Sequence, residues 1–161
     1  MRSEQETIYA IERYADTVRR ICFVHLKSID DTEDIFQEVF LKYALRSADF
    51  EDAAHEKAWL IRVTINACRD LLKNAFRNKV VSLEELVDLP AAQQDEYSEV
   101  LEAVLRLNAK YRDVVYLHYY EGYSAAEIGA ILRKNVNTVY TLLARAREQL
   151  KTTLGGDGYG R

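Results

Sequence analysis

A single proline, Pro90, and six glycines, most of them in the tail, are all the strong backbone punctuation in this 161-residue chain. Strand hairpins turn on Gly, Pro, Asn or Asp, and a chain so poor in the first two offers few places to make them. The rest is rich in Leu, Ala, Glu, Arg and Lys, which lose little on entering a helix. The fold class that follows is all-α. Hydrophobic residues make up 48% of the chain, enough for a core, and its length suits one domain or two small ones.

Several function classes drop out early. No apolar run reaches the roughly 20 residues a bilayer span needs. The opening stretch from Met1 to Tyr14 lacks the apolar block of a signal peptide, so the expected location is cytoplasmic. Cys22 and Cys68 both fall in apolar helical patterns, without C-x-x-C or a neighbouring histidine, and read as buried, reduced thiols rather than metal ligands. His25, His55 and His118 are scattered, and nothing pairs them with a nucleophile. There is no phosphate-cradling glycine loop, no H-E-x-x-H and no G-x-S-x-G. No enzymatic activity, no metal and no cofactor are expected.

The most informative stretch is the last third. Ser124 and Glu127 form S-x-x-E, a capping box that opens a helix carrying Ile128, Ile131 and Leu132 on one side, with Gly129 small enough for a close approach. Arg133-Lys134-Asn135 interrupts the pattern. A second helix follows with Val136, Val139, Leu143, Ala146 and Leu150 on one stripe and Asn137, Tyr140, Thr141, Ala144 and Glu148 largely on the other. Two helices, a short link and a polar outer face on the second describe a helix-turn-helix, or equally a plain helical hairpin. Charge favours the first. From Ile128 to Arg161 there are six Lys/Arg against two Asp/Glu, the excess that phosphate binding needs.

The net charge of −4 is distributed in blocks. From Ser82 to Val100 there are six acidic residues and no Lys or Arg, whereas from His55 to Lys79 six basic residues face two acidic ones. The acidic stretch also holds Pro90 and AAQQDE and reads as a linker, with a short turn at Ser82–Leu86. The organisation expected is therefore two small helical domains joined by an acidic flexible linker: 1–78, an N-terminal helical domain; 79–97, the linker; 98–154, a helix-turn-helix domain of about four short helices; and 155–161, a disordered tail.

Within the first domain, Glu4 to Lys27 reads as one long or two short core-facing helices. A second helix, Asp31–Arg46, turns Ile35, Phe36, Val39, Phe40 and Tyr43 inward. Its acidic residues Asp31, Asp34 and Glu38, with Gln37 beside them, form a row. Early acids suit the helix dipole, but Gln37 and Glu38 also suit a basic partner surface. Ser47–His55 reads as a loop, and a third helix from about Glu56 to Phe76 carries Arg62, Asn66, Arg69 and Lys73 along one face. On periodicity alone that row is a wet surface or a nucleic-acid contact.

Taken together, these segments resemble the bacterial RNA polymerase sigma factors of the extracytoplasmic-function group. Asp31–Tyr43 is similar to the family's acid-acid-apolar-x-Gln-Glu-Val-Phe run, Ala58–Asn66 to its W-L-x-R-I-x-x-N element, and Tyr123–Leu154 to its helix-turn-helix. The resemblance implies core polymerase contacts at Asp31, Asp34, Gln37 and Glu38. It implies capture of the −10 element by Lys57, Trp59, Arg62, Asn66, Arg69 and Lys73, with the loop Ser47–His55 as base pocket. It implies reading of the −35 element by Ser124, Lys134, Asn137, Thr138, Tyr140, Thr141 and Arg145. The partners implied are core RNA polymerase, promoter DNA (duplex at −35, single strand at −10) and an anti-sigma factor. The chain departs from the family where Arg133 replaces the turn glycine, and where Tyr140 and Leu142 stand at positions often basic.

Two rivals remain on the sequence. A stand-alone helix-turn-helix regulator would bind duplex tightly without polymerase, and would use the N-terminal half to dimerise; no coiled-coil seam supports it. A protein-binding helical adaptor leaves the Arg62/Asn66 row and both basic blocks unexplained.

Overall fold

The computed structural model describes residues 1–78 and 99–153. The linker expected over 79–97, with its turn at Ser82–Leu86, and the tail 155–161 lie outside them. All regular structure among the described residues is helical: α1 Glu4–Leu26, α2 Ile29–Leu45, α3 Ala53–Asn78, α4 Glu99–Leu105, α5 Ala109–Val115 running into a wide π-type turn at Tyr116–Tyr120, α6 Ala125–Leu132 and α7 Val136–Thr153. The chain divides into two compact units, Met1–Leu89 and Pro90–Arg161.

In the first unit α1, α2 and α3 all pack on one another. The stretch Glu4 to Lys27 forms one helix, not two. Ser3 caps it by accepting from the Glu6 amide at 3.1 Å, and Lys27 ends it in the left-handed region at φ 54°, donating its amide to Phe23 O. The second helix starts two residues before the expected Asp31. Ser28 is its cap, and its hydroxyl accepts from the Asp31 amide at 3.2 Å, which places Asp31 within the first turn. The third begins at Ala53, because Asp52 accepts from the His55 amide at 2.8 Å and caps it. The loop expected over Ser47–His55 therefore loses its last three residues to α3.

The core of this unit collects Tyr14, Val18, Cys22 and Leu26 from α1, Ile35, Val39, Phe40 and Tyr43 from α2, and Leu60, Ala67 and Cys68 from α3. Burying a Val or Leu side chain stabilises by about 1.5–3 kcal/mol. Both cysteines are free and buried. Among the described residues, no helix is long and apolar enough to cross a membrane.

In the second unit α4, α5 and α6 pack against α7. Arg106, Leu107 and Asn108 join α4 to α5, which begins at Ala109. Buried Arg112 on α5 donates Nη1 to Leu105 O at 3.2 Å, supplying a partner for a carbonyl at the α4 terminus. After the π-type turn the chain reverses at Gly122, whose φ of +80° is the reason for glycine there: a Cβ would meet nothing within 4 Å.

Candidate nucleic-acid interface

The C-terminal pair is the simplest surface to build. Ser124 Oγ accepts from the Glu127 amide at 3.2 Å, and Glu127 Oε1 accepts from the Ser124 amide at 2.9 Å, completing the capping box. That amide, with the Ser124 hydroxyl, holds the Glu127 carboxyl below the ordinary carboxylate range. α6 ends at Arg133, which takes the left-handed conformation at φ 57°, ψ 48°. Lys134 then donates its amide to Gly129 O at 2.8 Å. Asn135 accepts from the Asn137 amide through Oδ1 at 2.8 Å and so starts α7. The link between the helices is Arg133, Lys134 and Asn135, as expected.

On α7 the inward residues are Val139, Leu142, Leu143 and Ala146. Leu142, at a position often basic in the family, is thus a core residue here and faces away from any base. Asn137, Thr138, Tyr140, Thr141 and Arg145 are all exposed, and Lys134 is half-buried at the turn. Tyr140 is 61% exposed, a large aromatic ring standing free at the start of the helix. Thr141 spends its hydroxyl proton on Asn137 O at 3.0 Å. Arg147, one of the basic residues further along α7, donates Nε to the Tyr119 hydroxyl and is tied to the π-type turn.

In the first unit the sequence-predicted rows also reach the surface. Asp34, Gln37 and Glu38 are exposed on α2, and Asp31 is half-buried. Leu41 and Leu45, 60% and 59% exposed, continue the stripe from Asp34 and Glu38 at helical spacing, so the face is partly apolar. On α3, Asn66 and Lys73 are exposed, while Lys57, Trp59, Arg62 and Arg69 are half-buried.

Between α2 and α3 lies a feature sequence reasoning missed. Phe50, in the connecting loop, stacks at 14° on Tyr43 with centroids 6.0 Å apart, and packs edge-on against Trp59 at 5.7 Å and His55 at 5.3 Å. The Tyr43 phenol donates to Glu56 Oε2 at 2.8 Å. Burial, helped by this carboxylate, pushes the phenol up to about 12. His55 accepts the Glu51 amide at Nδ1, 3.0 Å away, which leaves its ring proton on Nε2. Phe50 as the one large apolar residue in an otherwise polar or small loop was the available signal. Among the described residues, no group of three or more His, Cys, Asp or Glu could hold a metal ion.

Comparison with known families decides the assignment. Residues 10–78 match the family description "Sigma-70 region 2" and residues 97–150 match "Sigma-70, region 4". The chain belongs to the RNA polymerase sigma factors, in the extracytoplasmic-function group. Relatives of this sigma factor include the "ECF RNA polymerase sigma factor SigW" of Bacillus subtilis, 26% identical over 161 residues, covering 89% of this chain and 86% of that one. "ECF RNA polymerase sigma factor SigM" of Mycobacterium tuberculosis is 28% identical over 145 residues, covering 89% and 74%. Among solved structures, the sigma factor RpoE with the anti-sigma factor NepR, from Bartonella quintana, superposes with TM-score 0.79 at 22% identity, covering 95% of this chain and 99% of that one. CnrH, in complex with the cytosolic domain of CnrY, does so with TM-score 0.68 at 22% identity, covering 97% and 92%. The likeness to both structures is one of fold. In this sigma factor, the region 2 match falls on α1–α3 and the region 4 match on α4–α7.

Proposed function

We propose that each surface of this sigma factor performs one part of promoter-specific initiation. The acidic stripe of α2, with Asp34, Gln37 and Glu38 outward and Asp31 at its start, docks on core polymerase. Leu41 and Leu45 extend that contact with apolar area. Asn66, Lys73 and the half-exposed Lys57, Trp59, Arg62 and Arg69 hold the single strand of the −10 element, and the loop before α3 receives a base flipped from the stack. Unstacking costs a few kcal/mol, offset by stacking and hydrogen bonds in a pocket, while cations along the strand supply salt-sensitive affinity. Asn137, Thr138, Tyr140 and Thr141 meet base edges at −35; Lys134, Arg145 and the hydroxyl proton of Ser124 meet phosphates.

The domains of this reading are 1–78 and 98–154, with the acidic segment 79–97 between them and 155–161 beyond. The protein makes and breaks no bond itself; it works in the cytoplasm, where core polymerase is. RpoE bound to NepR and CnrH bound to the cytosolic domain of CnrY support an anti-sigma partner here also.

The observation that carries the reading is the pairing of a region 2 match and a region 4 match in one chain, in that order. The test is a gel shift on promoter DNA with and without core polymerase. Specific retardation that requires core supports the reading. Tight, specific retardation of duplex by the chain alone favours a free-standing regulator.

A further inference from the structure

The loop between α2 and α3 is not held by its own residues alone. Ser47, Ala48, Asp49, Glu51 and Asp52 are all exposed, and only Phe50 turns partly inward. A further tie comes from the other end of the unit. The Arg2 amide donates to Ala44 O at 2.8 Å, at the last turn of α2. The Arg2 side chain, 11% exposed, then runs back under the loop, where Nη2 donates to Ala48 O at 2.7 Å. Its guanidinium lies 4.9 Å from the Tyr43 ring centroid and 4.7 Å from that of Phe50, against both stacked rings.

Arg46 converges on the same place. Its Nε donates to the same Ala48 carbonyl at 3.1 Å, and its guanidinium sits 4.6 Å from Phe50 and 5.2 Å from Trp59. Two cations thus share one carbonyl and one ring, in a loop carrying Asp49, Glu51 and Asp52. Three carboxylates would repel a nucleic-acid strand; the paired guanidiniums offset them. Arg46 caps α2, its amide donating to Lys42 O and Tyr43 O, and stands only two residues from the carbonyl it holds. Arg2 stands 46 residues from its acceptor and ties the loop to the helical body.

We propose that Arg2 is a positioning residue for −10 capture: its guanidinium locks the loop 46–52 in the shape that receives the flipped base. The proposal rests on the reading of that loop as the base pocket. A guanidinium against two aromatic rings that also donates to a backbone carbonyl orders the acceptor more strongly than either contact alone.

The test uses holoenzyme assembled from core polymerase and the full chain, on a promoter with 2-aminopurine in the non-template −10 strand. Arg2→Ala is expected to slow strand opening about tenfold, with affinity for core and for closed promoter within about twofold of the parent. Trp59, the chain's single tryptophan, should shift its emission as Arg46 and Phe50 loosen beside it. Arg2→Lys, which keeps the charge and a donor, should recover most of the opening rate. Phe50→Ala separates the two claims. If it slows opening while Arg2→Ala opens at the parent's rate, the role of Arg2 is overturned and the pocket stands. If both open at the parent's rate, the pocket reading itself falls. If Arg2→Ala loses core affinity together with opening, and Arg2→Lys rescues neither, Arg2 merely holds the fold, and the proposal is overturned.

Discussion

A Cβ placed on Gly129 would lie 2.7 Å from the carbonyl oxygen of Lys134, closer than such atoms come. The turn between α6 and α7 is therefore closed on backbone at a point with no flexible side chain to give way. Gly129→Ala is expected to open the turn and destabilise the second unit by roughly 1–3 kcal/mol, with −35 duplex affinity falling alongside. Arg133 beside it takes a left-handed conformation that costs a non-glycine residue about 1 kcal/mol. Arg133→Gly should therefore stabilise the unit by about that amount. Thermal unfolding followed by circular dichroism checks both signs.

Tyr43 and Glu56 tie α2 to α3 by a phenol-to-carboxylate hydrogen bond. Because the folded phenol titrates near 12 against an ordinary 10, its contribution is fully present below pH 10 and is lost as pH rises through about 12. Tyr43→Phe should be less stable than the parent by roughly 1.5–3 kcal/mol at neutral pH. The two should then converge as pH climbs from 10 to 12. Urea midpoints read from Trp59 emission measure this; a constant gap across that range would refute the linkage.

The α2 stripe carries a prediction about assembly. Asp34 and Glu38 are exposed, so Asp34→Lys should leave helix content unchanged while weakening core polymerase binding by about tenfold or more, as charge reversal at an interface does. Leu41→Ser should weaken binding without altering its salt dependence, since Leu41 contributes apolar area alone. Fluorescence anisotropy of labelled chain titrated with core polymerase, at two salt concentrations, separates these effects.

On α7, Arg145→Ala is expected to weaken −35 binding uniformly across sequences and to reduce the salt slope by about one ion. Asn137→Ala should cost about 1–3 kcal/mol and relax preference at a single base pair. A panel of single-base promoter variants, assayed as holoenzyme, distinguishes the two patterns.

Periodicity made the inward faces of α1 and α2 readable, because Ile35, Val39, Phe40 and Tyr43 recur as a helix requires. The helix-turn-helix was readable from Ser124, Glu127 and Gly129, each serving a local need. Two helix starts lie earlier than expected. The acids at Asp30 and Asp31 resemble a cap, but the Ser28 hydroxyl takes that role. Ala53 and Ala54 looked like loop, although alanine is the best helix former and Asp52 stood ready to cap it. Leu142 departs from the basic residue the family often has at that position, and the structure gives the reason: the side chain packs inward. The π-type turn at Tyr116–Tyr120 bears no mark in residue type. The box around Phe50 joins positions 2, 43, 46, 50, 55 and 59, which lie on no common helical period and meet only once the three helices close.

The most direct measurement of the central claim is multi-round run-off transcription with purified core polymerase, this chain and a pool of promoter fragments. The account predicts that core alone is silent on linear fragments, that adding the chain yields discrete transcripts from a subset sharing one −35 and one −10 sequence, and that Asn66→Ala holoenzyme binds those promoters but transcribes them weakly. Equal transcription with and without the chain, or an unchanged yield from Asn66→Ala, would contradict it.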